Sequence, residues 1–243
     1  MGSFFDLLFP PRCPICDGVR FSGEPVLCPG CESRVSYISE PSCMCCGRPI
    51  LNEDREFCYD CQKRERSYTG GVALGTYEGA LRESVLRFKY DKREEYARWY
   101  AKTLYERNQL KLRRLRADAV VPVPMHPLKE RKRGYNQAAS FAKELAECLS
   151  VPVLEGVLIR ARKTEPQKGL NDVARLQNLL SAFAIKEEKL AEWKKDHPFE
   201  RVILVDDIYT TGTTMEACAR LLKQAGVQRV SPVTVAVASG FAD

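Results

Sequence analysis

Two kinds of apolar spacing alternate along this chain. Short apolar runs bounded by polar or turn-forming residues predict buried β-strands, and they cover residues 72–77, 119–123, 201–205 and 230–237. Apolar residues at helical spacing predict amphipathic helices, which cover residues 80–110 (with a break near Asp91-Lys92), 136–149, 172–180 and 213–225. Strands that alternate with helices predict an α/β fold with a parallel sheet flanked by helices.

Polar segments mark the borders of the predicted sheet. Residues 62–71 are polar and end in Gly70-Gly71, which is typical of a linker. We therefore expect two domains, residues 1–66 and residues 67–243. A second polar and basic segment, residues 160–169, predicts a loop.

The first predicted domain carries a repeat of cysteines. Nine of the 11 cysteines lie within residues 1–61, and eight of them form two units of the same spacing. In each unit, two Cys-x2-Cys pairs are separated by 11 residues, and the second unit lies 30 residues after the first. The candidate metal ligands are Cys13, Cys16, Cys28 and Cys31 in the first unit, and Cys43, Cys46, Cys58 and Cys61 in the second.

Cysteine pairs of this kind are typical of structural zinc. Two residues between thiols allow one tight turn to aim both sulfurs at a single ion, and four thiolates complete its tetrahedral coordination. We expect two zinc ions that stabilise the fold and leave no coordination position open for catalysis. Sequential or interleaved pairs can share an ion. Cys45 has no counterpart in the first unit, whereas Cys148 and Cys218 lie in apolar helical patterns and are expected to be small buried hydrophobic residues.

Composition and charge narrow the class of protein. The 243 residues are 44% hydrophobic and 29% charged, which is typical of a globular rather than a disordered chain. We expect a cytoplasmic protein without membrane insertion, because no apolar run approaches the roughly 20 residues of a spanning helix and the N-terminus lacks a basic start and a cleavage site. The net charge of +6 divides into −4 over residues 1–61, +10 over 62–135 and 0 over 136–243. The basic block suits either a phosphate-rich partner or a solvated helix surface.

The strand at 201–205 leads into the segment with the clearest chemistry. The strand ends in Asp206-Asp207, and a turn of small residues, Thr210 to Thr214, then opens a helix. Ligands bind at the carboxyl ends of parallel strands, and a helix start offers unpaired backbone N–H groups to an anion. Gly212 allows close approach, the threonines add hydroxyl donors, and the acidic pair can accept hydrogen bonds from vicinal hydroxyls or help to bind a metal ion. The segment therefore suits a sugar that carries a phosphate.

Residues 202–214 resemble the thirteen-residue phosphoribosyl pyrophosphate (PRPP) motif of type I phosphoribosyltransferases. The resemblance implies that Asp206 and Asp207 bind the ribose hydroxyls and that Mg²⁺ accompanies the pyrophosphate. It also implies a 5′-phosphate site made by Thr210, Thr211, Gly212, Thr213 and Thr214. The sequence Val121-Pro-Val-Pro resembles the pyrophosphate loop of that superfamily, and the residues then placed for phosphate contacts are Arg131, Lys132 and Arg133.

The order of motifs over nearly the whole chain resembles the ComF (ComFC-type) competence family. Behind the cysteine repeat come residues 121–126 and 131–137, and then Arg162, Thr164, Gln167, Leu170, Arg175 and Asn178, followed by Ala182-Phe183. That family joins a double zinc ribbon to a phosphoribosyltransferase-like domain. The resemblance therefore implies a type I phosphoribosyltransferase-like parallel sheet behind a small Cys-rich double zinc ribbon.

The same resemblance implies a role in natural transformation, in which the protein handles incoming single-stranded DNA. The implied partners are PRPP or a related sugar phosphate, single-stranded DNA and other proteins of DNA uptake. Aromatic residues interleaved with the basic block are candidates to stack bases, although such residues more often pack in a helix core. They are Tyr90, Tyr96, Trp99, Tyr100 and Tyr105.

An active phosphoribosyltransferase with an unidentified acceptor is the alternative. Its catalysis would come from positioning and from Mg²⁺ on the leaving pyrophosphate. Some purine-salvage relatives have an acidic base where this chain has Thr210, whereas orotate-type relatives also have threonine there. The sequence assigns no catalytic residue. We interpret His197 as a surface residue and His126 as part of a loop.

Overall fold

The computed structural model describes residues 10–21, 23–161 and 180–238. Its strands are β1 (Val72–Thr76), β2 (Ala119–Pro122), β3 (Leu158–Arg160), β4 (Phe183–Ile185), β5 (Arg201–Tyr209) and β6 (Arg229–Val237). Its α-helices are α1 (Tyr59–Lys63), α2 (Gly79–Tyr90), α3 (Tyr96–Leu115), α4 (Pro127–Arg133), α5 (Gln137–Leu149), α6 (Glu187–Asp196) and α7 (Thr213–Gln224). A short 3-10 helix covers Glu32–Arg34.

A parallel sheet forms the centre of the fold. Its strands lie in the order β1-β6-β5-β2, and all three pairings are parallel. Burial of this sheet on both faces explains why its strands appear as continuous apolar runs rather than alternating ones. The predicted parallel sheet flanked by helices is therefore confirmed.

Alternate residues of β5 face two different layers. Ile203 and Val205 pack in a core with side chains of α2, α3 and α5. Val202 and Leu204 pack on the other face with side chains of α7. Because successive side chains of a strand point to opposite faces, this alternation also decides which layer each residue after Val205 faces.

The cysteine-rich segment packs directly against the sheet. Backbone bonds join Ile38 N to Leu74 O (3.0 Å) and Thr76 N to Ser36 O (2.9 Å), so residues 36–38 extend the sheet beside β1. The predicted linker contacts both parts, because Gly71 donates to Cys45 O (3.1 Å) and Thr69 donates to Val230 O (3.0 Å). The division at residues 66 and 67 stays a prediction.

Several boundaries differ from those that the pattern predicts. The long helical segment divides after Tyr90, as predicted, but α3 continues to Leu115. The pattern predicts that β5 ends at the acidic pair, but the strand runs to Tyr209, because β6 supplies pairing partners as far as Val237. The antiparallel pair of strands β3 and β4 and the helix α6 lack a sequence prediction. Most of the loop predicted at 160–169 and of the helix predicted at 172–180 lies outside the described residues.

Within the described ranges, no helix combines the length and the apolar character needed to cross a membrane.

Candidate functional site

The eight cysteines of the repeat lie in two groups of four. In each group the sulfur atoms all lie within 4.8 Å of one another, and the groups are Cys13, Cys16, Cys28 and Cys31, and Cys43, Cys46, Cys58 and Cys61. Sequential rather than interleaved pairs therefore share each site. The sulfurs of Cys16 and Cys28 are 3.6 Å apart, and those of Cys46 and Cys58 are 3.8 Å apart. Tetrahedral Zn–S bonds of about 2.3 Å place sulfurs about 3.8 Å apart, so the donor sets fit two structural zinc ions.

The two groups are structural copies of each other. In the first, Cys13 N donates to Gly18 O (2.8 Å) and Cys28 N donates to Cys13 Sγ (3.5 Å). The corresponding bonds in the second group join Cys43 N to Arg48 O (2.7 Å) and Cys58 N to Cys43 Sγ (3.3 Å). The offset of 30 residues is thus kept in three dimensions. We refer to these copies as the first ribbon (residues 11–31) and the second ribbon (residues 41–61).

The remaining cysteines are not part of either group. Cys45 takes the place of the buried Ile15 in the first ribbon, and its thiol donates to Tyr68 O at 3.4 Å. Cys218 is fully buried on α7, as predicted, whereas Cys148 is only partly buried. Cys45 therefore packs as a small hydrophobic residue behind the second ribbon.

The acidic pair lies within the last four residues of β5, and its two side chains face opposite layers. Asp207 faces the α2 layer, where its Oδ2 lies 3.0 Å from Lys89 Nζ and both side chains are at most 15% exposed. Asp206 faces the α7 layer, and its Oδ1 accepts a hydrogen bond of 2.9 Å from Asp207 N. Lys89 is far from Asp207 in the sequence, so no local pattern identifies it as the partner of this carboxylate.

Burial and, to a lesser extent, the neighbouring charge of Asp207 raise the pKa of Asp206 to about 7, while Lys89 and Arg160 oppose the rise. The desolvated carboxylate is costly because it makes no ion pair with any residue that the structure describes. A ligand that donates hydrogen bonds to the carboxylate oxygens of Asp206 would favour the ionised form of this residue. Arg160, on β3, is a further residue of this edge that sequence patterns did not indicate.

The small-residue turn is shaped by two buried tyrosines as well as by its threonines. Gly212 has φ of 75° and precedes the first turn of α7. A Cβ atom at this position would overlap the hydroxyl oxygens of Tyr209 and Tyr68, which are hydrogen-bonded to each other at 2.7 Å. The glycine is therefore required by packing inside the protein, in addition to any approach of an anion. The Oγ1 atoms of Thr211 and Thr213 share a 2.8 Å hydrogen bond.

Two arginines donate hydrogen bonds to backbone carbonyl oxygens of this turn. Arg48 Nη2 donates to Thr210 O at 2.8 Å, and Arg66 Nη2 donates to Thr211 O at 3.1 Å. Arg48 belongs to the second ribbon and Arg66 to the segment that follows it. Contacts this far apart in sequence leave no local pattern, so they were not predicted.

The basic triplet lies on α4, next to β2 at the same edge of the sheet. His126 caps this helix by accepting a hydrogen bond from Leu128 N (3.2 Å). The Arg133 guanidinium carbon lies 4.9 Å from the centre of the Tyr90 ring. Tyr90 directly follows Lys89, the residue that pairs with Asp207. Arg131 and Lys132 are exposed on α4. The structure thus places Arg133 against Tyr90 and leaves Arg131 and Lys132 exposed to solvent.

Comparison with known proteins agrees with this two-part arrangement. The double zinc ribbon domain family matches residues 4–62. The phosphoribosyl transferase domain family matches residues 135–239, which include the acidic pair and the turn. Competence protein F of Haemophilus influenzae is 34% identical over 237 residues, which cover 95% of this chain and 96% of that protein. This chain belongs to the ComF competence family.

Other relatives extend over most of this ComF chain. Competence protein ComFC of Streptococcus pneumoniae is 27% identical and is matched over 84% of each chain. The DNA utilization protein YhgH of Escherichia coli is 25% identical, over 92% of this chain and 96% of that protein. The names of these relatives concern competence and the use of DNA.

The aromatic residues of the basic block separate into two groups in the ComF structure. Tyr96 and Tyr100 are fully buried and Trp99 is 7% exposed, so these three pack in the core rather than present rings to solvent. Tyr90 is 64% exposed. Tyr105 is partly buried and accepts hydrogen bonds from Gln109 and Arg113. His197 is exposed and stacks on Trp193, as expected of a surface residue.

Proposed function

We propose that this ComF protein binds PRPP with Mg²⁺ at the carboxyl edge of its sheet and handles single-stranded DNA that enters the cytoplasm during natural transformation. The observation that carries the proposal is the position of Asp206 and Asp207 at the end of β5, beside the helix start at Thr211 to Thr214. At this edge the carboxylates can accept hydrogen bonds from vicinal hydroxyls, and the helix start can bind a phosphate.

In the proposed complex, the carboxylates of Asp206 and Asp207 accept hydrogen bonds from the ribose hydroxyls. The hydroxyls and backbone N–H groups of Thr210 to Thr214 bind the 5′-phosphate, and Arg131, Lys132 and Arg133 attract the pyrophosphate. The ion pair with Lys89 gives the mostly buried carboxylate of Asp207 a cationic partner.

Binding of PRPP can be measured by calorimetric titration in the presence of Mg²⁺. The double substitution Asp206→Ala and Asp207→Ala should abolish the heat of binding. Glu187→Ala with Glu188→Ala is a matched control, because these neighbouring carboxylates are exposed at the start of α6. Binding that survives the first pair of substitutions unchanged would contradict the proposed site.

The DNA-binding part of the proposal draws support from the names of the relatives and from the rim of the same edge. Here an exposed tyrosine, Tyr90, lies against Arg133, and the exposed cations of α4 are next to it. Single-stranded DNA is held by cations along its backbone and by aromatic rings that stack on its bases. Tyr90 is the candidate that the structure favours, since the rings of Tyr96, Trp99 and Tyr100 are buried.

Fluorescence anisotropy with a labelled single-stranded oligonucleotide tests this part. Tyr90→Ala should weaken binding by about tenfold, since loss of one stacked base costs roughly 1–3 kcal/mol. Tyr59→Ala removes a similarly exposed ring from the second ribbon and should have little effect. Affinity should fall steeply with salt, and PRPP with Mg²⁺ should compete with the oligonucleotide if both use this edge.

Transferase activity is a second candidate, which one cleft favours. A cleft of about 280 Å³ opens between the segment after β2 and the β3 strand, and its walls include Pro124, Asn136 and Arg160. It would place an acceptor base beside the proposed sugar site. Release of pyrophosphate from PRPP that depends on an added base would favour this function over DNA handling alone.

A further inference from the structure

We propose that the second ribbon, through Arg48, and the segment that follows it, through Arg66, position the turn at Thr210 to Thr214. Zinc bound at the second ribbon then supports sugar-phosphate binding, whereas zinc at the first does not. The functional part of this inference rests on the proposed function. Its structural part, the order of the turn, does not depend on any ligand.

Arg48 joins the second zinc site to the turn through one buried guanidinium group. The residue is 8% exposed. Its Nη1 donates to Asp60 Oδ2 at 3.0 Å, and its Nη2 donates to Thr210 O at 2.8 Å. Because Asp60 lies between the ligands Cys58 and Cys61, a change at this metal site moves the carboxylate that orients Arg48.

The direction of these hydrogen bonds determines which way the backbone N–H groups of the turn point, and hence whether they can bind an anion. In a planar trans peptide the C=O and the following N–H point in opposite directions. Arg48 and Arg66 hold the carbonyl groups of Thr210 and Thr211 towards the ribbon, so the N–H groups of Thr211 and Gly212 point away from it. Those are backbone donors of the turn that opens α7. The arginines therefore act as positioning residues for the N–H groups rather than as phosphate ligands.

The first ribbon lacks this connection. At the offset of 30 residues that relates the two ribbons, Arg48 corresponds to Gly18 and Asp60 corresponds to Gly30. Both partners of the Arg48–Asp60 ion pair are thus glycines in the first copy, although the cysteines and their backbone hydrogen bonds are kept. The charged pair is a specific property of the ribbon that touches the turn.

Hydrogen–deuterium exchange of a peptide that spans residues 209–215 tests the structural part. Arg48→Ala should speed exchange of this peptide, and Arg48→Lys should restore it only in part, because one ammonium group cannot bridge Asp60 and Thr210 as the guanidinium does. Arg34→Ala, an exposed arginine of the 3-10 helix, is the matched control and should leave exchange unchanged. Unaltered exchange in Arg48→Ala would overturn the inference.

Calorimetric titration with PRPP and Mg²⁺ tests the functional part in the same proteins. Arg48→Ala and Arg66→Ala should each weaken binding at least about tenfold, equivalent to ~1.4 kcal/mol, while both retain two zinc ions per chain. If the unsubstituted chain binds no PRPP, the proposed function fails, yet the exchange result still decides the inference. If it binds PRPP and both variants bind equally well, the inference fails and the function stands.

Substitution of single zinc ligands separates the two ribbons. Cys61→Ser should release about one zinc per chain and speed exchange of the 209–215 peptide. Cys16→Ser should also release about one zinc, without affecting exchange of that peptide. Equal effects of the two substitutions on the turn would contradict a specific role of the second ribbon. Thermal unfolding of both variants shows whether either has simply failed to fold.

Discussion

The carboxylates of Asp206 and Asp207 near the end of β5 have different electrostatic surroundings, because their side chains face different layers of the fold. Asp207 has Lys89 as a partner. Burial raises the pKa of Asp206 from 3.8 to about 7. Between these values the folded protein holds a proton that the unfolded chain has released. The contribution of Asp206 to the free energy of unfolding therefore falls as the pH rises through this window.

Asp206→Asn removes this penalty and should stabilise the free protein above pH 7. We expect its Tm at pH 8 to exceed that of the unsubstituted protein by roughly 2–4 °C, the change that about 1 kcal/mol produces in a protein of this size. At pH 5 the difference should be smaller, because the penalty grows as the pH rises from 3.8 to about 7, and it should vanish only below pH 3.8. Calorimetric unfolding at both pH values measures this, and Asp207→Asn, which leaves Lys89 unpaired, should destabilise at both.

The packing at Gly212 leads to a second prediction for a single residue. Gly212→Ala should lower the free energy of unfolding by at least ~3 kcal/mol, because strain at positive φ, about 1–2 kcal/mol, adds to displacement of the Tyr68–Tyr209 pair. Gly134→Ala is the control: φ there is also positive, but a Cβ atom meets nothing within 4 Å. Similar losses in the two variants, measured by urea unfolding, would count against the packing argument.

Among secondary-structure elements, those with long apolar patterns were predictable and the short or distant ones were not. All four strands of the sheet and the helices α2, α3, α5 and α7 follow the periodicity of the sequence. The antiparallel strands β3 and β4 have three residues each, which is too short to show an alternation of apolar and polar residues. The continuation of β5 past Asp207 depends on β6, and the roles of Lys89, Arg48 and Arg66 depend on contacts between residues far apart in the chain.

The start of α5 illustrates how one side chain joins two elements. Asn136 Oδ1 accepts a hydrogen bond from Ala138 N (3.1 Å), and its Nδ2 donates to Val123 O (3.1 Å) just after β2. Asn136→Ala should therefore destabilise the protein by about 1–2 kcal/mol, the upper part of the range for a lost N-cap. Asn136→Asp keeps the cap and loses only the second bond, so chemical unfolding should place it between the other two proteins.

For the molecule as a whole, cysteines of both ribbons pack in the two core clusters that cover the faces of the sheet. Cys13 and Cys31 pack in the cluster that contains α2, α3 and α5, whereas Cys43, Cys46 and Cys58 pack in the cluster that contains α7. Loss of the metal ions therefore removes support from both faces of the sheet.

Zinc removal should accordingly lower the stability of the entire chain. A strong chelator should release two zinc ions per chain and lower the main Tm by more than about 5 °C, since thiolate ligands contribute binding energy to folding. A colorimetric zinc assay combined with calorimetry measures both. A separate, small transition for residues 1–66 with an unchanged main Tm would instead indicate an independent head.

The pairing of β1 with β6 has a consequence for the order in which this protein is assembled. Val72 pairs with Val233, and Arg48 meets Thr210 across 162 positions of sequence. During synthesis the ribbons and β1 leave the ribosome long before either partner exists, and contacts of such wide separation form late. We therefore expect a nascent chain to acquire both zinc ions while β1 still lacks its partner β6. The proposed sugar-phosphate site is then complete only with β6, so we expect an interrupted translation product to bind zinc but no sugar phosphate.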